Sequence, residues 1–168
     1  MKKALDKFIE IWSNKKEVLG ILLCGSYAVG LGTNKSDIDI RLVLDTSHQK
    51  SFKGLSTIDG YSFSYLGRNK NNIVRKFNLD YFNNSRIESR NFHLGLVLYD
   101  KNNSLRELKK IARYYFETPF VTKMDHESLK DRMYSLYSLY AYLMETDTGS
   151  PYFSFNYFQF MRMGLMYY

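Results

Sequence analysis

Leu23–Ile40 reads LCGSYAVGLGTNKSDIDI, and its two ends pose one question. An apolar run stops at Gly25-Ser26, and two acids, Asp37 and Asp39, then alternate with Ile38 and Ile40. Residues i and i+2 of a strand point to the same face. The spacing therefore sets two carboxylates side by side, where each raises the other's pKa and costs stability unless a cation lies between them.

The neighbouring sequence supplies the frame. Leu5, Phe8, Ile9 and Trp12 fall at helical spacing and describe one buried face of a first helix. Val18–Gly25 is a short apolar run, expected as a buried strand, followed by a short helix or turn and a loop. Asp37–Asp45 is expected as a second strand, with Ile38, Ile40, Leu42 and Leu44 opposite the acids. TSHQKSFKG reads as a polar connection, and Ser56–Asn69 as a third strand with a bulge or turn at Asp59-Gly60. A polar segment from Asn71 to Arg90 carries helical apolar spacing at Ile73, Phe77 and Phe82. Leu94–Asp100 reads as a fourth strand. Ser104 and Glu107 form an S-x-x-E capping box, which opens a helix over Leu105, Leu108, Ile111, Ala112 and Tyr115.

After Pro119 the composition changes. Leu129, Met133, Leu136, Tyr140 and Leu143 fall at helical spacing, and YFSFNYFQFMRMGLMYY follows Pro151. That stretch is aromatic on several sides, so a lone helix would expose a large apolar patch. It is expected either to pair with another copy or to belong to a longer protein with a further C-terminal domain. The expected class is α+β, a small mixed sheet flanked by helices over residues 1–118 and a helical extension over 119–168.

Composition narrows the functions. The chain of 168 residues has a net charge of +7, which suits a polyanionic partner, either a nucleotide or nucleic acid. Its single cysteine, Cys24, excludes a disulfide framework or a CxxC zinc site within the chain. His48, His93 and His126 show no metal spacing. No apolar run is long enough to span a membrane. Asp6 and Glu10 interrupt the lysine-led N-terminus, so it reads as a cytoplasmic helix rather than a leader.

The opening stretch has the parts of a phosphate site beside a metal site. Glycine lets a phosphate approach the backbone, and Ser26 with nearby amides can hold its oxygens. Two carboxylates suit Mg²⁺, which binds oxygen and bridges to substrate phosphates. GSYAVGLGTNKSDIDI resembles the G-S…D-h-D-h signature of the DNA polymerase β-type nucleotidyltransferase superfamily, in its kanamycin nucleotidyltransferase-like and minimal branches. The resemblance covers roughly residues 1–117 through the order of elements, and the later helices are similar to the start of the kanamycin branch's helical domain.

The resemblance implies an Mg²⁺- or Mn²⁺-dependent transfer of a nucleoside monophosphate, from ATP or another triphosphate, to a hydroxyl acceptor. Gly25 and Ser26 would hold the triphosphate, with Ser36 and Lys35 close by, and Asp37 and Asp39 would be the catalytic metal ligands. Such families place a third carboxylate on the next central strand. Here Ser64, with Ser62 as the alternative, stands at that position, and a hydroxyl cannot act as a base of useful pKa. Asp59, Glu88 or Asp100 could approach from elsewhere. Two readings therefore stand together: an active nucleotidyltransferase, and an impaired relative that binds nucleotide or a protein partner as an antitoxin or regulatory subunit. A nucleic-acid module ranks third, because no basic stripe interleaved with aromatics is present. Arg41 shares the acids' face and is expected to touch phosphate or to pair with Asp39 or Asp45.

Overall fold

The protein, in a computed structural model, is described over residues 1–47, 50–120 and 126–165; His48 lies outside them. It divides into two units, Met1–Pro119 and Phe120–Tyr168. The first contains α1 (Lys2–Ser13), β1 (Val18–Cys24), α2 (Gly25–Ala28), β2 (Ile38–Leu44), β3 (Phe52–Ile58) and β4 (Tyr61–Asn69), then α3 (Lys70–Phe82), α4 (Ile87–Leu94), β5 (Leu96–Asp100) and α5 (Ser104–Glu117). Its strands form one mixed sheet in the order β3-β4-β2-β1-β5. Among the described strands only β2 and β4 run parallel, and β3 lies between them in sequence.

Each sheet face has its own core. On one, Phe8 of α1 packs against Ile21, Leu23, Ile38, Ile40, Leu42, Leu44 and Phe63. Phe8 stacks on Phe63 with centroids 4.8 Å apart, and Trp12 stacks on Phe52 at 5.7 Å. On the other, α3, α4 and α5 bring Ile73, Phe77, Phe92, Leu105, Leu108 and Ala112 onto Leu22, Cys24 and Val43. The period-2 alternation of β2 thus feeds one core with its isoleucines and leucines, and leaves Asp39, Arg41 and Val43 on the opposite face. A core of this kind, with Phe8, Phe63, Phe77 and Phe92 fully buried, contributes roughly 1.5–3 kcal/mol per large side chain.

The structure departs from the sequence reading in four places. The sheet has five strands rather than four, because of the two features expected at Asp59-Gly60 it is the turn that forms and divides the third strand, whose first half already begins at Phe52 within the polar connection. Asp59 (φ 49°) and Gly60 (φ 80°) form a tight turn that splits the expected third strand into a hairpin. Both residues adopt the positive φ that two-residue hairpin turns require. The segment from Asn71 to Arg90 is two helices, α3 and α4, and Phe82 is exposed. Leu94 ends α4 instead of starting a strand. Finally, the S-x-x-E pair does not cap α5. Asn103 adopts a left-handed conformation and draws Ser104 into the first turn. The Asp100 carboxylate then accepts hydrogen bonds from the amides of Leu105 (2.9 Å) and Arg106 (3.2 Å), while Glu107 pairs with Lys70.

The second unit consists of α6 (His126–Glu145) and α7 (Pro151–Leu165). The helices meet at Tyr140 and Phe160, whose rings lie 6.1 Å apart. No residue of α6 is buried.

Candidate active site

β1 and β2 are antiparallel neighbours, with Cys24 opposite Asp39. The C-terminal end of β1 therefore meets the N-terminal end of β2, and the turn that follows Cys24 lies directly against Asp39. Gly25 makes this approach feasible. Its φ is +65°, and a Cβ placed there would overlap Oδ2 of Asp39. A side chain at this position would be strained and would also fill the space beside the carboxylate. Ser26 follows on α2, half-buried.

Asp39 is half-buried, and Asp37 is exposed immediately before β2. Burial pushes the Asp39 carboxyl above its usual range, the Arg41 guanidinium opposes that, and the Asp37 charge adds to it. The two acids are thus near enough to repel, as the alternation requires. Arg41 pairs with neither Asp39 nor Asp45. Its Nε donates to Glu88 Oε1 at 3.2 Å and its Nη2 to Glu88 Oε2 at 3.3 Å, while Arg68 Nη1 donates to the same carboxylate at 3.3 Å. Glu88 is 3% exposed, and its amide donates to Asp80 Oδ2 at 3.1 Å. It is therefore clamped between two arginines and is not available as a third acid. Asp100 is likewise committed to capping α5, and Asp59 pairs with Lys7 at 2.6 Å. Cys24 is buried beneath this layer, which pushes its thiol up to about 12 and leaves no thiolate at neutral pH.

The parallel register sets Ser64 of β4 directly beside Asp39, and Leu55 of β3 beside Ser64. Two cavities adjoin this row. One, of about 260 Å³, is lined by Gly25, Ser26, Val29, Arg90, Asn91 and Gly95. The other, of about 620 Å³, is lined by Asp39, Arg41, Lys53, Leu55, Ser64 and Leu66. Gly25 in the lining of the first cavity lies against Asp39 in the lining of the second.

Of the residues singled out in the sequence, Gly25, Ser26, Asp37 and Asp39 come together at this end of the sheet. Lys35 is exposed on the connecting loop. The hydroxyl of Ser36 is engaged within that loop by Thr33, whose amide donates to it at 3.1 Å. Arg90 and Asn91 line the first cavity without any local signal in the sequence. They come from α4, more than sixty residues beyond Ser26, and no local pattern links an arginine in a polar helix to a distant turn. Arg90 is exposed and makes no ion pair among the described residues.

The donor set can be tested against a metal. Among the described residues no cluster of three or more His, Cys, Asp or Glu side chains is present. Two carboxylates with a neighbouring hydroxyl suit Mg²⁺, which is held by one or two carboxylates plus substrate phosphates and retains water. They do not suit a cation that requires a complete protein cage.

A mixed sheet flanked by helices, with a glycine-serine turn against an acidic strand end, defines an α+β protein. The chain belongs to the nucleotidyltransferase domain family, whose profile matches residues 5–121. It is 36% identical over 76 residues to "Putative protein adenylyltransferase MJ1379" of Methanocaldococcus jannaschii, a match that covers 45% of this chain and 76% of the relative. Its fold is similar to the crystal structure of a nucleotidyltransferase-like protein from Exiguobacterium sibiricum, with a TM-score of 0.53 and 15% identity. That match covers 86% of this chain and 45% of the other, so this chain spans under half of that protein's length. The family and the archaeal relative support nucleotidyl transfer as the general chemistry. No helix among the described residues is long and apolar enough to cross a membrane.

Proposed function

We propose that this chain is a Mg²⁺-dependent nucleotidyltransferase that moves a nucleoside monophosphate from a triphosphate such as ATP to a hydroxyl acceptor. The observation that carries the reading is the contact between Gly25 and Asp39, which sets a turn open to phosphate against one of two paired carboxylates. Gly25 and Ser26 hold the triphosphate by backbone and hydroxyl, with Arg90 supplying positive charge from α4. Asp37 and Asp39 hold the cation. When bound, that ion would neutralise charge at the reacting phosphate and lower the pKa of the acceptor oxygen. Ser64 donates or accepts a hydrogen bond beside Asp39 and orients the acceptor. The acceptor oxygen bonds to the α-phosphorus, pyrophosphate departs with the electrons of the broken P–O bond, and the hydroxyl proton passes to solvent.

Direct measurement is pyrophosphate release with each triphosphate and Mg²⁺ or Mn²⁺, comparing the wild type with Asp37→Ala/Asp39→Ala. Loss of at least a hundredfold in the double variant is expected; equal rates remove the reading. A second reading is favoured by one observation, Ser64 in the position beside Asp39. The protein would then bind nucleotide without turnover, as a regulatory subunit or an antitoxin. Calorimetry showing metal-dependent nucleotide binding with no pyrophosphate release would select it.

A further inference from the structure

The aromatic stretch after Pro151 is the surface that the sequence marks as unpartnered. A more ordered one lies on α6. Leu129, Met133, Leu136, Tyr137, Tyr140 and Met144 fall within an arc of about 100° on that helix. No Asp, Glu, Lys or Arg of α6 falls inside the arc; Glu127, Lys130, Asp131, Arg132 and Glu145 all lie outside it. Leu136 is half-buried, and the other five members of the stripe are between 44% and 70% exposed. At roughly 200 Å² for a large side chain, they leave about 600 Å² of surface uncovered. Its centre is a groove of about 290 Å³, formed by the middle four with Phe160 of α7.

We propose that α6 docks antiparallel on α6 of a second copy of this chain, the stripe meeting itself about a two-fold axis. The observation that selects this occupant is the spacing. The steps along the stripe are four, three, one, three and four residues, the same from either end. A two-fold interface is self-complementary: where residue i meets residue j of the other copy, j also meets i. An axis between Leu136 and Tyr137 sets Leu129 against Met144 and Met133 against Tyr140, and does so twice. A partner of different sequence imposes no such symmetry. The two copies together bury about 1,200 Å², the lower end of the range for specific interfaces, so the dimer is weak and depends on concentration. A membrane surface fits less well. Interfacial helices carry mainly Lys and Arg on their polar face, whereas the charges of α6 are of mixed sign. The proposal concerns the helix pair and is independent of the chemistry at Asp39.

Sedimentation of the intact chain over a concentration series up to roughly 100 μM reads the equilibrium. A monomer–dimer transition is expected. Tyr137→Glu sets two carboxylates against each other beside the axis and should weaken association about tenfold or more. Phe158→Glu, on the opposite side of α7 from Phe160, should leave it unchanged. Both positions are exposed, so the variants should fold, and circular dichroism checks their helix content. Cysteine cross-linking under mild oxidation then reads the orientation without a charged substitution. Leu129→Cys/Met144→Cys should give a covalent dimer. Leu129→Cys alone should not, because an antiparallel pair holds its two copies roughly 22 Å apart along the helix. The native Cys24 is buried and stays out of the reaction. A chain that remains monomeric throughout, whatever else it binds, overturns the proposal and leaves the stripe to another occupant. So does association that ignores Tyr137→Glu. Equal weakening by Phe158→Glu would reduce the association to nonspecific contact among exposed aromatics, and a cross-link from Leu129→Cys alone would make it parallel; either result also overturns it.

Discussion

The sheet unit and the helix pair carry the same kinds of apolar residue and put them to different use. In Met1–Pro119, phenylalanines at 8, 63, 77 and 92 are fully buried between layers. In Phe120–Tyr168, Tyr134 and Tyr137 are 73% and 70% exposed, and Met133, Phe155 and Phe158 are exposed as well. A sheet offers two faces, and helices cover both, so every inward side chain meets a neighbour. Two helices share only one line of contact, here around Tyr140 and Phe160, beside a groove of about 290 Å³ lined by Met133, Leu136 and Tyr137. Helical periodicity therefore marks which residues share a face, and says nothing about whether anything lies on it.

The contrast can be broken by paired truncations. Phe8→Ala should cost the sheet unit about 3–5 kcal/mol, because it removes a ring stacked on Phe63 and leaves a cavity. Leu136→Ala in α6, at a half-buried position, should cost less than about 1 kcal/mol in a dilute sample. Denaturant melts of both variants provide the comparison. Equal costs would mean that another surface covers α6 in solution.

Within the sheet unit the next largest effect should fall on the ion cluster. Glu88→Ala strands Arg41 and Arg68, whose side chains are only 16% and 19% exposed. A loss of roughly 3 kcal/mol is expected, since removing one partner of a buried pair leaves uncompensated charge. A loss below about 1 kcal/mol would show that water replaces the carboxylate. Gly25→Ala should cost about 1–3 kcal/mol from its positive φ, and should weaken nucleotide binding at least tenfold by filling the space against Asp39. Unchanged nucleotide affinity would separate Gly25 from the site.

The smallest expected effect has the opposite sign. The folded-state pKa of Asp39 is raised by burial, so the folded chain binds its proton more readily than the unfolded chain. Ionised Asp39 therefore costs stability at neutral pH, and that cost disappears as pH falls through the folded-state pKa. Asp39→Asn should raise Tm by about one or two degrees at pH 7, with the gain vanishing in acid, while metal binding is lost. A variant less stable than the wild type at neutral pH would mean that Asp39 has a structural partner. The same residue would then be part of the frame as well as of the chemistry.

The legible parts of the protein are those governed by local rules. Alternation in Asp37–Leu44 assigns β2 its two faces, and the spacing of Leu5, Phe8, Ile9 and Trp12 describes α1. The family signature lies within one stretch of eighteen residues, Leu23–Ile40. Distant chemistry overrides a local cue at two places. Ser104 and Glu107 have the spacing of a capping box, but Asp100, fixed at the end of β5, reaches the free amides first. Arg41 has acids two and four residues away, yet its guanidinium goes to Glu88 on α4. A buried carboxylate without a partner would be costly, and folding buries Glu88 within reach of Arg41.

By itself, then, the amino-acid sequence determined the family, the acidic pair and the turn before it, because strand alternation and glycine's freedom act over a few residues. Tertiary structure decided what surrounds that pair. Arg90 and Asn91 arrive on α4, and Ser64 and Leu55 arrive through strand register. Those neighbours are set by how the sheet and helices pack, and packing joins residues that no short-range pattern connects.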